Sequence, residues 1–338
     1  MANWYLETGN NSEVVVSSRV RLTRNVKEIP FINRMKKEDF EKVLECAENA
    51  INSIGYGLKF MLIKNMDDIT KQSLVEKHLI TPELAVNKNG YGALAINDEE
   101  NISILINEED HIRIQVFSAG ENLKELLNLA LEIDKKLESK INYAYNNKFG
   151  FLSNCPRDAG TGLKASTMVH LVGLAKTANL RKVLDVISGF DMNVRGAYGE
   201  NTTDQGVMYQ ISNKQTLGIS EEETIRKVSI ITEKVIEQEK LAREMLTKNS
   251  LELEDRVYRL YGLISNCRKI SYEEALKIVS EIKLGVDLGI IKELTDWKVN
   301  KIALYIKPAN LQKYLGKTLE GYDEEIERAK MIKQIIQE

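Results

Sequence analysis

Tyr91-Gly92-Ala93-Leu94-Ala95-Ile96, then Asn97-Asp98-Glu99-Glu100-Asn101, Ile102-Ser103-Ile104-Leu105-Ile106, Asn107-Glu108-Glu109-Asp110-His111 and Ile112-Arg113-Ile114-Gln115-Val116-Phe117 form one run from residue 91 to 117. Its three apolar blocks are rich in Ile, Leu and Val and are separated by two short polar blocks. Apolar runs of this length bounded by polar clusters read as strands, and the links are too short to hold a helix. Closely spaced strands without intervening helices predict an antiparallel meander.

Outward from that run, Val14 to Arg21 reads as another strand. Its alternation puts Arg19 and Arg21 on one face. Helical period marks residues 36–53 (Phe40, Val43, Leu44, Ala47, Ile51) and 121–143. Leu58 to Ile63 predicts a short strand, and Asp68 caps a helix running to His78, with a break at Pro82. Phe149 to Leu152 predicts a strand leading into Cys155-Pro156-Arg157-Asp158-Ala159-Gly160-Thr161-Gly162, a loop that opens a helix over 163–177. Further helices are expected at 179–188 and 221–247, with strands at 194–197 and 207–211 around a polar loop. After Lys248-Asn249-Ser250 the pattern is helical at 251–265, 271–284 and 323–337. The expected fold class is α+β: an antiparallel sheet flanked by helices over residues 14–245, then a small helical domain over 250–338.

Composition narrows the function. The chain has 338 residues, 43% hydrophobic and 29% charged, with a formal net charge of −3. That balance gives no basic field for nucleic acid or anionic lipid. Neither a membrane-spanning apolar run nor a signal-peptide pattern is present, so a cytoplasmic protein is expected. Cys46, Cys155 and Cys267 are an odd number and far apart, with no zinc spacing, which fits a reducing compartment. Lysine is the default cation, 33 against 14 arginines, so the grouping of Arg19, Arg21 and Arg24 is a candidate phosphate site.

Two acidic strings carry the chemistry. Asn107-Glu108-Glu109-Asp110-His111 lies just before Arg113, and Arg195-Gly196-Ala197-Tyr198-Gly199-Glu200 holds Arg195 beside Glu200. Carboxylates suit a cation and arginines suit an anion, so the pair of strings fits a site that holds both. Taken singly, each also reads as a solvated turn. The loop 156–162 is a candidate phosphate cradle at a helix N-terminus or a plain turn, and it is not a Walker A sequence.

In family order, Ser17-Ser18-Arg19-Val20-Arg21, Asn107 to Arg113, Asn154-Cys155-Pro156, Gly160-Thr161-Gly162-Leu163, Arg195-Gly196, Gly199-Glu200 and Ile211-Ser212-Asn213 resemble the phosphagen kinases. The resemblance covers residues 14–245. Within the family the chain is most similar to the bacterial protein-arginine kinases. The Ser-Ser-Arg strand begins near residue 17, so the large helical N-terminal domain of creatine and free-arginine kinases is expected to be missing. Glu252 to Arg259, Leu263 to Arg268 and Leu284 to Gly289 resemble the C-terminal domain of the bacterial enzymes.

The resemblance implies ATP-dependent phosphorylation of arginine side chains in proteins. It makes Glu109 the catalytic base, Glu200 the second guanidinium clamp and Cys155 a substrate-binding thiolate. It assigns the nucleotide to Ser17, Ser18, Arg19, Val20, Arg21, His78, Arg113, Lys164, Ala165, Ser166, Thr167, Met168 and Arg195 through Glu200 (Gly196, Ala197, Tyr198 and Gly199 included). ATP is expected with Mg²⁺ as its counter-ion, although the sequence offers no dedicated carboxylate cage. Expected partners are proteins with exposed arginines, Clp protease components and an activator protein, with a homodimer through the C-terminal domain and a role in stress response. A free-arginine or other small-guanidine kinase, or a non-catalytic phosphoarginine-binding module, are the alternatives. The sequence departs from the family twice. Lys164 stands where the family carries arginine after Gly-Thr-Gly-Leu, and Glu324-Glu325-Ile326-Glu327-Arg328-Ala329 stands where the bacterial kinases carry an Arg-Asp-x-x-Arg-Ala phosphoarginine-binding string. Weaker nucleotide handling and weak or absent allosteric control are expected from them.

Overall fold

A computed structural model describes residues 3–86, 88–196 and 207–338. Elements run β1 (Val15–Arg24), α1 (Lys37–Ile54), β2 (Lys59–Leu62), α2 (Asp68–Glu76), α3 (Pro82–Val86), β3 (Ala93–Ile96), β4 (Ile102–Ile106), β5 (Ile112–Ala119) and α4 (Leu123–Glu138). They continue β6 (Tyr145–Asn146), β7 (Gly150–Phe151), β8 (Leu163–His170), α5 (Val172–Lys176), α6 (Leu180–Gly189), β9 (Met192–Gly196), β10 (Met208–Asn213) and α7 (Glu221–Thr247). Five helices close the chain: α8 (Ser250–Asn266), α9 (Tyr272–Asp287), α10 (Asp296–Tyr305), α11 (Pro308–Leu315) and α12 (Gly321–Gln337).

The expected meander is present: β2, β3, β4 and β5 pair in sequence, all antiparallel. β5 then pairs with β1 and β1 with β8, giving an eight-stranded antiparallel sheet in the order β2-β3-β4-β5-β1-β8-β10-β9. One face carries Val20, Leu22, Ile104, Ile114, Ala165 and Ile211 into the main core. There α4 packs on β1 and β5, and α7 on β8 and β10. On the other face Leu94, Leu105 and Phe117 meet Leu74, Leu79 and Leu84 around α2 and α3. A third core joins α8 to α12 through residues such as Val257, Ile278, Ile302 and Ile332.

Several expectations need correction. Leu163 to His170 is a strand, not the start of a helix, because Leu163, Ala165, Thr167 and Val169 are buried at period two and the backbone is paired on both sides. Its helix-forming composition is overridden by that pairing. The phosphate cradle at a helix N-terminus therefore does not exist. Gly160 (φ +108°) and Gly162 (φ +65°) instead permit close backbone approach, a Cβ there lying 2.3 Å from the Thr216 carbonyl oxygen and 2.6 Å from that of Thr23. α4 stops at Glu138, and the following chain turns to pair with residues 25–27 through Lys27 N–H to Asn142 O and Ala144 N–H to Asn25 O. The cap of α2 is Asp67, which accepts from Thr70 N–H at 2.8 Å. α10 and α11 were not foreseen, although Thr295 caps the first and Pro308 opens the second.

Candidate active site

The turn between β4 and β5 is built to present Glu109. Asn107 adopts φ +56°, a left-handed conformation asparagine tolerates, and the turn closes through Asn107 N–H to His111 O at 3.0 Å. Buried Asp110 points inward and accepts from Asn25 Nδ2 at 2.6 Å and from Asn154 N–H at 2.8 Å. It thereby ties this turn to the loop that carries Cys155. His111 is also structural. Its Nδ1 accepts from Val26 N–H at 3.0 Å, so the proton sits on Nε2, 2.9 Å from Pro30 O.

Glu109 is half-exposed at the rim of a cleft of about 900 Å³. Strand alternation supplies the cleft floor. Arg21 faces Lys164 across the β1–β8 pair, Arg19 faces Ser166, and Gln210 on β10 faces Arg195 on β9. The cleft is lined by Arg19, Arg21, Arg113, Lys164 and Arg195, and by Glu109, Cys155 and Asp158, beside which Arg157 lies with its side chain hydrogen-bonded to Cys155. Acceptor atoms of Glu109, Cys155 and Asp158 lie within 4.8 Å of one another. Arg113 is held by buried Glu108 and by Glu109 at 2.8 Å, while Thr81 Oγ1 donates to Glu108 at 2.9 Å.

Electrostatics show what the cleft lacks. Burial, then Arg113, pushes Arg21 down to about 10, and burial, then Arg21, lowers Arg19 strongly. Burial, then Arg21, pushes Lys164 down to about 8. Burial alone would lower Arg113 too, but Glu108 and Glu109 more than offset it. Cations crowded to this degree are pre-organised for a polyanion that restores their balance.

A smaller cavity adjoins the cleft through Arg19 and Gln210, with Trp4, Ser17, His78, Phe117, Ser166 and Met168 around it. Trp4 stacks on Phe117 with ring centroids 5.3 Å apart. This wall suits an aromatic base. His78 sits at φ +61°, and burial, then Lys307 and Arg19, pushes it down to about 3, so it is neutral. Its position is fixed from α11. Glu76 accepts from Ala309 N–H at 2.9 Å and Asn310 N–H at 2.8 Å, and Lys307 Nζ donates to Glu76 O at 2.6 Å.

The structure thus brings Glu109, Cys155, Arg19, Arg21, Arg113, Lys164 and Arg195 to one cleft, with Ser17, Ser166, Met168 and His78 beside it. It does not bring all the expected residues there. Ser18, Val20, Ala165 and Thr167 turn their side chains to the core, because alternation that aims Arg19, Arg21, Lys164 and Ser166 at the cleft aims their neighbours away. Ser18 Oγ donates to Gly120 O, and Thr167 bonds Thr232. Arg24 is likewise no phosphate ligand. It is buried, with Nη2 on Asp134 at 2.6 Å and its guanidinium over Phe151 at 3.6 Å. Gly196 ends β9 opposite Tyr209. Ala197, Tyr198, Gly199 and Glu200 lie outside the described residues. Glu108, Asp110, Asp158 and Gln210 escaped the sequence reading as site residues. For Glu108 and Asp110 the only signal was adjacency to Glu109, and for Asp158 its place three residues after Cys155.

Magnesium needs oxygen donors. The cluster of Glu109, Cys155 and Asp158 includes a sulfur and does not form such a cage.

Comparison with known proteins agrees with this geometry. Residues 39–242 match the family described as ATP:guanido phosphotransferase, C-terminal catalytic domain. Residues 250–338 match the protein-arginine kinase McsB C-terminal domain. The chain is 42% identical over 335 residues to the protein-arginine kinase of Halothermothrix orenii, covering 98% of this chain and 96% of that one. It is 39% identical over 342 residues to that of Bacillus subtilis, covering 99% and 93%. Among solved structures, the duplicated taurocyamine kinase of Schistosoma mansoni superposes with a TM-score of 0.61 at 25% identity, over 67% of this chain and 33% of that one. A lombricine kinase superposes with a TM-score of 0.59 at 24% identity, over 71% of each chain.

Proposed function

Because the chain belongs to the ATP:guanido phosphotransferase family and aligns almost end to end with protein-arginine kinases, we propose that it moves the γ-phosphoryl group of ATP onto arginine side chains of proteins. The observation that carries this reading is the cleft itself. A carboxylate and a thiol at one end suit a guanidinium, and the crowded cations beside them suit a triphosphate.

The chemistry follows from the acceptor. A guanidinium in water stays protonated, with a pKa above about 12, so no nitrogen lone pair is free to attack. Glu109 orients the group and takes a proton as the nitrogen bonds to the γ-phosphorus and the bond to ADP breaks. Proton transfer of this kind contributes about 10²–10⁴-fold, and the alignment adds more. Arg19, Arg21, Arg113, Lys164 and Arg195 hold the phosphates and neutralise the transferring group. Glu200 is proposed as the second clamp on the guanidinium. Mg²⁺ is proposed to enter with the nucleotide and would supply charge neutralisation there, since the described residues form no cage of their own for it. The adenine is proposed to rest near Trp4, His78 and Met168.

Beyond the reaction, we propose proteins with exposed arginines as substrates and Clp protease components and an activator protein as partners. Such a mark would serve protein degradation in a stress response in the cytoplasm. No described helix is long and apolar enough to cross a membrane. The helical C-terminal region is proposed as a homodimer surface, supported by exposed Leu251, Tyr258 and Leu263 on α8.

The test offers γ-labelled ATP with an unfolded arginine-rich protein and, separately, free arginine. Acid-labile label on the protein, in excess of that on free arginine, is expected. Preferential labelling of free arginine would overturn the protein-substrate reading, and no transfer to either would leave a binding module.

A further inference from the structure

We infer that Asp158 is a guanidinium-binding residue, a carboxylate that shares the acceptor arginine with Glu109 and Cys155. The inference rests on the proposed reaction and adds to it a residue that determines acceptor affinity. Asp158 sits in the 3₁₀ turn Pro156–Asp158, immediately after Cys155, and is half-buried in the cleft wall. A carboxylate oxygen of Asp158, one of Glu109 and the Cys155 sulfur all lie within 4.8 Å of one another. A guanidinium fans five N–H donors from one carbon in a plane, so acceptors at that spacing can be bonded by a single group. An ammonium places its donors at one point and cannot span them as well.

The turn is built to hold this position. Cys155 N–H donates to Ser153 Oγ at 3.2 Å, Asp158 N–H to Cys155 O at 2.9 Å, and Thr216 Oγ1 to Arg157 O at 2.8 Å and Ala159 O at 2.6 Å. The backbone on both sides of Asp158 is thereby clamped to the segment after β10. Asp158 forms no ion pair of 4 Å or less among the described residues; the neighbouring Arg157 side chain, hydrogen-bonded to Cys155, lies close enough to interact with its charge, and an acceptor guanidinium would take over that interaction. The field of Asp158 also reaches Arg21 and Lys164, where it partly opposes the effect of burial on each.

This dual position yields a test with opposite signs. Asp158→Asn keeps the shape of the side chain and removes its charge. The Michaelis constant for the arginine-bearing protein is expected to rise about tenfold, the loss of one charge-assisted hydrogen bond. The Michaelis constant for ATP should stay level or fall, because a negative charge near the phosphates is gone. Asp158→Glu keeps the charge and should retain more acceptor affinity than Asp158→Asn. A rise in both Michaelis constants together, or no change for the acceptor, would overturn the inference. If the wild-type chain forms no phosphoarginine at all, the proposed reaction itself fails, and that outcome is read before any variant.

Discussion

Replacing Lys164 by arginine should change how nucleotide binding responds to pH. Lys164 lies opposite Arg21 on the cleft floor, and burial together with that neighbour brings it down to about 8. Phosphates bind the charged form, so binding must draw a proton to Lys164 wherever the free enzyme has lost it. The weakening factor is 1 + 10^(pH − pKa). It is about 2 at pH 8 and about 11 at pH 9, so wild-type affinity falls roughly fivefold between those values. The sign is fixed by the depressed value: affinity is fully present well below pH 8 and is lost as pH rises through it. Arginine at this position holds its charge to higher pH than lysine does. Lys164→Arg should therefore show a shallower profile, and its forked donors should raise affinity at pH 7 by the equivalent of about 1.5 kcal/mol or more. Calorimetric titration with a non-hydrolysable ATP analogue from pH 7 to 9.5 measures both. Parallel profiles for the two proteins would refute the reasoning, and so would a flat wild-type profile.

Three further expectations rest on buried charge. Arg24→Ala leaves Asp134 buried without its partner, and should destabilise the fold by about 3–5 kcal/mol in urea unfolding while leaving nucleotide affinity of the folded fraction unchanged. His78, His111 and His170 are each lowered by burial, so below pH 6.5 the unfolded chain takes up protons that the folded chain refuses. Stability should then fall as pH drops through 6.5, by up to about 4 kcal/mol per pH unit from these three, which unfolding at pH 7.5 and 5.5 will measure. Arg328 is buried, donating to Ile306 O at 2.7 Å and Ile270 O at 3.1 Å and pairing with Glu324. Added phosphoarginine peptide should leave the labelling rate unchanged, whereas stimulation would show that this arginine can be released.

The sheet was legible because its strands announce themselves locally. Residues 91–117 alternate apolar blocks with turns, and β1 shows its two faces through Arg19 and Arg21 against Val20 and Leu22. β8 was not legible, because Leu163 to His170 contains good helix formers and its strand state comes from β1 and β10 on either side. The same non-local pairing decided which resembling residues face the nucleotide: one strand position separates Lys164 in the cleft from Ala165 in the core. Arg24 looked equivalent to Arg19 and Arg21 until strand parity put it on the other face beside Asp134, a partner 110 residues away. Dependence of His78 on α11 was invisible for the same reason, since Glu76 and Asn310 are 234 residues apart.

Glu109 is the residue on which the proposed chemistry turns, and Glu109→Gln removes its proton acceptance while keeping its size. Single-turnover transfer of label from ATP to an arginine-rich protein should slow by about 10²-fold or more, with nucleotide affinity within a few-fold of wild type. Transfer at the wild-type rate by the Glu109→Gln enzyme would contradict the account.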